Sequence, residues 1–387
     1  MTSNKINTKL KSPSRKNEKW RYSDLNLLKI PINNNIISSS ENLDIKIDTN
    51  TYYYIVIIDG NYSKEKSSLP KKGIEISCSK DYISNFNKGL KFEDKYQVLQ
   101  NLDNNNDDIV FINITENIDK PIKLIKLTSS NSTFFTTFIN IDKNCNIKFY
   151  ENFIQQDKHN NFINNVTRIS LNDYASCKHF IQKNFEGEIR FINTIELVCN
   201  SNSVYENYSI NTIDKSYRFE AEVHLNGKKA QANFYGVNIA NNNQVYDIVI
   251  DIKHNSSDTF SNQHYNQVLN YNSSGSFYSN VYIDKFLNNI EAHQLNKNLI
   301  LDKKSKAYSR PMLDIHSDDV ICSHGSTTGN IDEEALNYFA SRGIKDLQAK
   351  NLIIMGLLKS VFSNCKLNDF EIESLYKQII HSIEFYE

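Results

Sequence analysis

The chain is poor in the residues that punctuate structure. Its 387 residues include 11 glycines and 5 prolines, too few to build a succession of tight glycine-turned hairpins. The six cysteines, Cys78, Cys145, Cys177, Cys199, Cys322 and Cys365, lie far apart and form no C-x-x-C pair, which argues against a structural zinc knuckle and a disulfide framework. Neither sign of charge dominates. With 44 Lys and Arg against 45 Asp and Glu, the formal net charge is -1, so no global field favours nucleic acid or an anionic membrane. No apolar run approaches the roughly 20 residues that cross a bilayer as a helix. The opening stretch, MTSNKINTKLKSPSRKNEKW, lacks the apolar centre of a secretory signal. No G-x-x-x-x-G-K-[ST] string occurs, so any ATP hydrolysis belongs to a partner. These absences lead to the expectation of a cytoplasmic protein, or a stromal one in a plastid-bearing source.

What remains is alternation. Residues 1–50 are polar, interrupted by Pro13 and Pro31, with a short apolar island at Leu25, Leu27 and Leu28, and read as an N-terminal arm. Residues 51–329 carry one short period-two segment after another, separated by Asn, Asp, Ser and Gly. The clearest is Tyr246 to Lys253, where Tyr246, Ile248, Ile250 and Ile252 would face one way. Residues 330–387 switch to a helical period, with helices expected at 331–341, about 346–362 and about 368–386. The fold class is therefore mainly β with a C-terminal helical domain. The pattern leaves the β body open among sandwich, barrel and solenoid, and no strict repeat is visible. Scarce glycine and abundant asparagine fit coils stacked through Asn-bearing turns.

The densest segment is PMLDIHSDDVICSHGSTTGNIDEEALNYFASRGI, Pro311 to Ile344. Leu313 and Ile315 alternate with polar neighbours, and Val320 and Cys322 extend the pattern as in one half-buried strand. Asn330 or Asp332 can cap the following helix, and Gly343 can end it. Cys322 and His324 are two apart on a strand, so their side chains share a face, where a thiol and an imidazole could bind a soft or borderline metal. The plain alternative is a buried thiol and a hydrogen-bonded turn histidine. The same spacing at Cys177 and His179 has nothing beside it that suggests a site. Asp318 and Asp319, adjacent on the chain, would point to opposite faces and read as solvated or turn-capping carboxylates rather than a metal pair. Leu352, Ile353, Met355, Leu357, Leu358, Val361 and Phe362 are too many apolar residues for one exposed helix and need a cover.

These residues resemble the C-terminal signature of the SufB/SufD family of iron-sulfur cluster assembly proteins, and its SufD branch in particular. The likeness rests on Asp318-Asp319-Val320, Cys322-Ser323-His324-Gly325, Gly329, Asp332-Glu333-Glu334, Tyr338 and Ser341-Arg342-Gly343-Ile344. It extends to Glu18-x-Trp20-Arg21-Tyr22-Ser23-Asp24-Leu25 and to the run from His254 through Gln294 to Leu299. The resemblance implies a right-handed parallel β-helix with helical pieces at its ends. It implies a non-catalytic scaffold subunit that pairs with SufB, docks the SufC ATPase, and forms a homodimer in isolation. His324 would face a SufB cysteine at the pairing interface, with Cys322 nearby, and share a transient iron-sulfur cluster there, with no cofactor held stably. Tyr338, Phe339, Arg342, Leu352 and Met355 would contribute to the SufC-docking face. Two alternatives stand beside this: a structural paralogue in which His324 is inert, and a β-helix carbohydrate-active enzyme, for which clustered carboxylates with a basic partner are wanting.

Overall fold

The computed structural model describes residues 13–28, 48–78, 109–155, 162–185, 189–212 and 215–384. Pro31 and the expected end of the last helix at 386 lie outside them. Nearly all strands belong to two parallel sheets. One contains β4 (Val110–Ile114), β6 (Ser132–Ile141), β8 (Phe162–Leu171), β10 (Arg190–Cys199), β12 (Ser216–Leu225), β14 (Val245–His254), β16 (Ser274–Ile283) and β18 (Lys306–Ile315). The other contains β1 (Tyr53–Ile58), β5 (Ile122–Thr128), β7 (Asn146–Gln155), β9 (Ser176–Asn184), β11 (Val204–Asn211), β13 (Gln231–Ala240), β15 (Phe260–Leu269), β17 (Ile290–Ile300) and β19 (Val320–Gly329). From β4 onward the chain passes from one sheet to the other at every turn, so each coil adds one strand to each sheet: a parallel β-solenoid. From β4 and β5 onward, register partners lie 26 residues apart (Arg190 to Ser216) to 32 apart (Ser274 to Lys306), whereas β1 and β5 are separated by 69 (Tyr53 to Ile122). The repeat is structural, and its variable length hides it from the sequence.

Every second side chain points into the lumen. Tyr246, Ile248, Ile250 and Ile252 are fully buried there, as the alternation requires. The corners use asparagine in place of glycine: Asn144, Asn202, Asn242, Asn243, Asn272 and Asn289 all have φ between 49° and 64°, a region that asparagine tolerates better than most residues. Their neighbours form side-chain ladders between coils, with Asn140 donating to Asn113 over 2.7 Å and Asn172 to Asn140 over 3.1 Å. The first coil is closed by antiparallel strands, β2 (Asn61–Tyr62) on β1 and β3 (Ile74–Ser77) on β4.

The two outer faces have different covers. Over the sheet that ends in β18 lies the arm, in two short 3-10 turns, Glu18–Trp20 and Leu25–Leu28. Trp20 is fully buried beneath the Arg218 guanidinium, 3.7 Å from its ring. Arg218, itself buried, bonds Glu220, Ser23 and Asp247. Glu18 pairs with Arg310 at 2.6 Å and Tyr22 stacks on Tyr308 at 4.0 Å, so the arm reaches the last strand of its sheet. Over the opposite sheet lie α1 (Glu333–Ser341), α2 (Asp346–Lys359) and α3 (Asp369–Glu384). Ile354, Leu358, Val361, Phe362, Leu375 and Ile379 cover a stacked ladder of Tyr150, Phe180, Tyr208 and Tyr235. Asp332 caps α1 by accepting from Glu334 N, and Gly343, at φ 77°, follows its end.

Candidate functional site at the open end of the solenoid

One expectation needs correction before the site can be built. Leu313 and Ile315 do not share a strand with Val320 and Cys322. The chain turns at His316–Asp319, so the first pair ends β18 and the second begins β19, in opposite sheets. Asp319 serves that turn, its Oδ2 accepting from Asn289 N at 2.9 Å. This agrees with a turn-capping carboxylate.

β18 pairs only with β16, and β19 only with β17, so both sheets finish at the same end of the solenoid with a free edge. Hydrogen bonds fix which groups are free. Ile290 N donates to Asp319 O, whereas Glu291 N donates back to Thr259 O. In a parallel ladder the peptide groups of successive residues face alternate neighbours. Val320, Cys322, His324, Ser326 and Thr328 therefore direct their N–H and C=O groups to the open edge. On β18, Lys306 N bonds Ser273 O and His316 N bonds Ile283 O, which leaves Ala307, Ser309, Pro311, Leu313 and Ile315 facing outward along the edge. Pro311, with no N–H to give, sits where none is needed for the fold.

The side chains of those β19 residues point into the lumen. Cys322 is in register with buried Ala292, and His324 with Gln294, which is 2% exposed. The structure thus brings Cys322 and His324 to one face, at the mouth of the lumen. Cys322 is half-buried against the main core, and burial pushes its thiol above the usual range, which disfavours the thiolate that binds metal. His324 is exposed. Below them a polar thread crosses the lumen: Ser279 Oγ donates to Gln263 Oε1 at 2.6 Å, and Gln294 Nε2 donates to Ser279 Oγ at 2.6 Å and Met312 O at 3.2 Å. Sequence reasoning assigned no role to Gln263, Ser279 or Gln294. Glutamine at a lumen position of a strand was the available signal. On the outer face, His293 bonds Ser323 at 2.7 Å and Glu291 at 2.8 Å. The serine meets Nδ1 and the carboxylate Nε2, the reverse of a hydrolase triad; the set ties β19 to the coil below.

Cys177 and His179 also share a lumen face, deep inside. His179 bonds Glu151 at 3.0 Å and Tyr205 at 2.8 Å, and Glu151 pairs with buried Lys126 at 2.6 Å. Burial pushes the Glu151 carboxyl up, but Lys126 and His179 outweigh it and hold it at about 2. Burial raises the Cys177 thiol strongly. These ions are sealed and partnered, which makes the cluster an internal tie rather than a reaction centre. Among the described residues, no group of three or more His, Cys, Asp or Glu is arranged to hold a metal ion, and no helix is long and apolar enough to cross a membrane.

The residues expected to dock a partner divide in two. Tyr338, Arg342 and Leu352 are exposed, Tyr338 at 59% and Leu352 at 47%, with the Arg342 guanidinium 5.5 Å from the Tyr338 ring centre. Phe339 is half-buried beside Tyr338, and Met355 packs against the cluster that seats α2. No residue of α1 is buried.

Comparison with known proteins gives a concordant result. The family model described as SUF system FeS cluster assembly, SufBD core domain, matches residues 125–357. The chain is 24% identical over 375 residues to an iron-sulfur cluster assembly SufBD family protein of Synechocystis, covering 89% of this chain and 82% of the relative. It is 24% identical over 371 residues to the iron-sulfur cluster assembly protein SufD of Escherichia coli, covering 88% and 82%. The chloroplastic protein ABCI7 of Arabidopsis thaliana is 24% identical over 392 residues, covering 92% and 80%.

Proposed function

This chain belongs to the SufBD family of iron-sulfur cluster assembly proteins, and from that premise we propose that it is the SufD-type scaffold subunit of a complex with SufB and SufC. The observation that carries the reading is the pair of free ten-residue edges, β18 and β19, at the end of the solenoid where Cys322 and His324 lie. Open parallel edges invite strand addition, and a related solenoid ending in the same way is a fitting partner. SufB would add its own last strands there and place a cysteine opposite His324. The iron-sulfur cluster is cargo, assembled between the two subunits and then passed on. His324 supplies one ligand through a ring nitrogen, and Cys322, whose thiol burial pushes above its usual range, is the secondary candidate.

The subunit itself catalyses nothing in this reading, and ATP is hydrolysed by SufC. SufC docks on the exposed side of α1 and α2, with Tyr338, Arg342 and Leu352 as its anchors and Phe339 and Met355 supporting them from the half-buried side. The test is co-expression with SufB and SufC of the same organism and native mass spectrometry. A complex of all three that survives His324→Ala but matures no cluster is the expected result. A chain that ignores both partners would overturn the scaffold reading. A His324→Ala complex that matures clusters normally would reduce it to a structural paralogue.

A further inference from the structure

The Gln294 side chain is 2% exposed, one coil below His324 in the same lumen column. Its amide orientation is fixed, because Met312 O can only accept, so the atom 3.2 Å from it is Nε2. The same Nε2 donates to Ser279 Oγ. Oε1 therefore occupies the other lobe, and it is buried without a hydrogen-bond partner. A buried amide oxygen left unpaired costs about 1–3 kcal/mol; the likewise unpaired Gln263 Nε2 lies one coil below in the same column, and the His324 ring, one coil above, is the donor on the side of the lumen mouth. Neighbouring coils stack about 4.8 Å apart, within reach of a hydrogen bond from an imidazole N–H above to an amide oxygen below.

We propose that Gln294 is a positioning residue for His324: its Oε1 accepts the N–H of one ring nitrogen and thereby leaves the lone pair of the other directed out of the lumen mouth. An unrestrained imidazole exchanges its proton between two nitrogens and rotates, so only part of its population presents a lone pair in a given direction. A ligand histidine is normally held by a bond from its second nitrogen, and loss of that partner typically costs 10–100-fold in metal affinity or activity. Here Ser279 and the Met312 carbonyl hold the Gln294 amide, which in turn holds the ring. The value of this to iron chemistry rests on the scaffold reading above; the hydrogen bond does not.

The experiment is heteronuclear NMR of the full chain carrying ¹⁵N-histidine, with the His324 signals identified by their loss in His324→Asn. The wild type is expected to show one tautomer with a slowly exchanging ring N–H. Gln294→Met, and Gln294→Asn, which draws the amide back by one methylene, are expected to give a mixture; Gln294→Glu, which keeps an acceptor below the ring, should retain the single form. In complex with SufB and SufC, Gln294→Met should lower cluster maturation by about 10–100-fold while the complex still assembles. A tautomer mixture in the wild type, or a His324 spectrum unchanged by Gln294→Met and Gln294→Asn, would overturn the proposal. If the NMR result holds and His324→Ala still matures clusters, the hydrogen bond stands and the role of His324 in cargo handling falls.

Discussion

A proline at Ser326 separates strand addition from folding. Ser326 directs its N–H to the open edge of β19, while that of Thr327 faces β17. Ser326→Pro therefore removes no internal ladder bond, and the preceding residue, Gly325, is the one best able to adapt to a following proline. Nature has already placed Pro311 at an equivalent edge position on β18. Toward an incoming strand the ring withdraws one donor and fills the space through which the bonds of His324 and Thr328 would form. At about 1 kcal/mol for each of three bonds the loss is about 3 kcal/mol, roughly a hundredfold in Kd. Thr327→Pro is the counterpart, because it breaks a bond within the fold and should lower thermal stability. Calorimetric titration of SufB into each purified variant, with a melting curve for each, gives both readouts. A Ser326→Pro chain that binds SufB with unchanged Kd would refute strand addition along β19.

Three further outcomes follow from the same structure. Arg218→Met strands the buried Asp247 and Glu220 carboxylates and should cost about 3–5 kcal/mol in urea unfolding; because Trp20 is the one tryptophan of the chain, release of the arm will also red-shift its fluorescence. Burial holds His254 and His264 at about 4, each below the ordinary 6.5. Below pH 6.5 the unfolded chain takes up protons that the folded chain refuses, so stability falls between pH 6.5 and 4 by up to about 3 kcal/mol per histidine. His254→Asn should flatten that slope in unfolding curves at pH 7 and 4.5. On the opposite side of the molecule, Leu352→Asp and Tyr338→Ala should each weaken SufC binding about tenfold or more with melting temperature unchanged, as expected of exposed anchors; unaltered binding by both would move the SufC face elsewhere.

The parts of this structure that were legible in the sequence are those governed by near neighbours. Alternation from Tyr246 to Ile252 marked a lumen face, Asp332 and Gly343 marked the limits of α1, and asparagine in place of glycine pointed to stacked corners. What depended on distant partners was not legible. Lys126, in the strand IKLIKLT, looks like a solvent-facing charge, yet it is fully buried because Glu151 and Asn165, two and three strands further along the chain, meet it inside the lumen. The coil repeat was hidden because a lumen column asks only for a side chain that fits: the column under His324 runs through Gln294, Gln263, Phe234, Asn207 and His179. The turn at His316–Asp319 was missed although the alternation slips by one residue there, from odd positions at Leu313 and Ile315 to even ones at Val320 and Cys322; that slip across a polar run was the available signal of a new strand.

In the proposed complex, the geometry of β19 would couple partner binding to the state of the site. In a parallel strand the residues whose peptide groups face one edge are also those whose side chains face one side of the sheet. On β19 these are Val320, Cys322, His324, Ser326 and Thr328: their backbones form the free edge and their side chains line the lumen mouth. A strand that adds to this edge continues the lumen by one coil, so its own inward residues arrive directly above Cys322 and His324. Docking and completion of the ligand set are then one event. An exposed imidazole beside a half-buried thiol is a weak metal site alone, and under the proposed strand addition the same pair beneath a partner's cysteine would become desolvated and multidentate. Any force that pries the two edges apart reverses both effects at once, returning the site to solvent and reducing its ligands to those of one chain. For the proposed scaffold, which would first hold a cluster and then release it, opening this edge would do the second without any chemistry within the subunit.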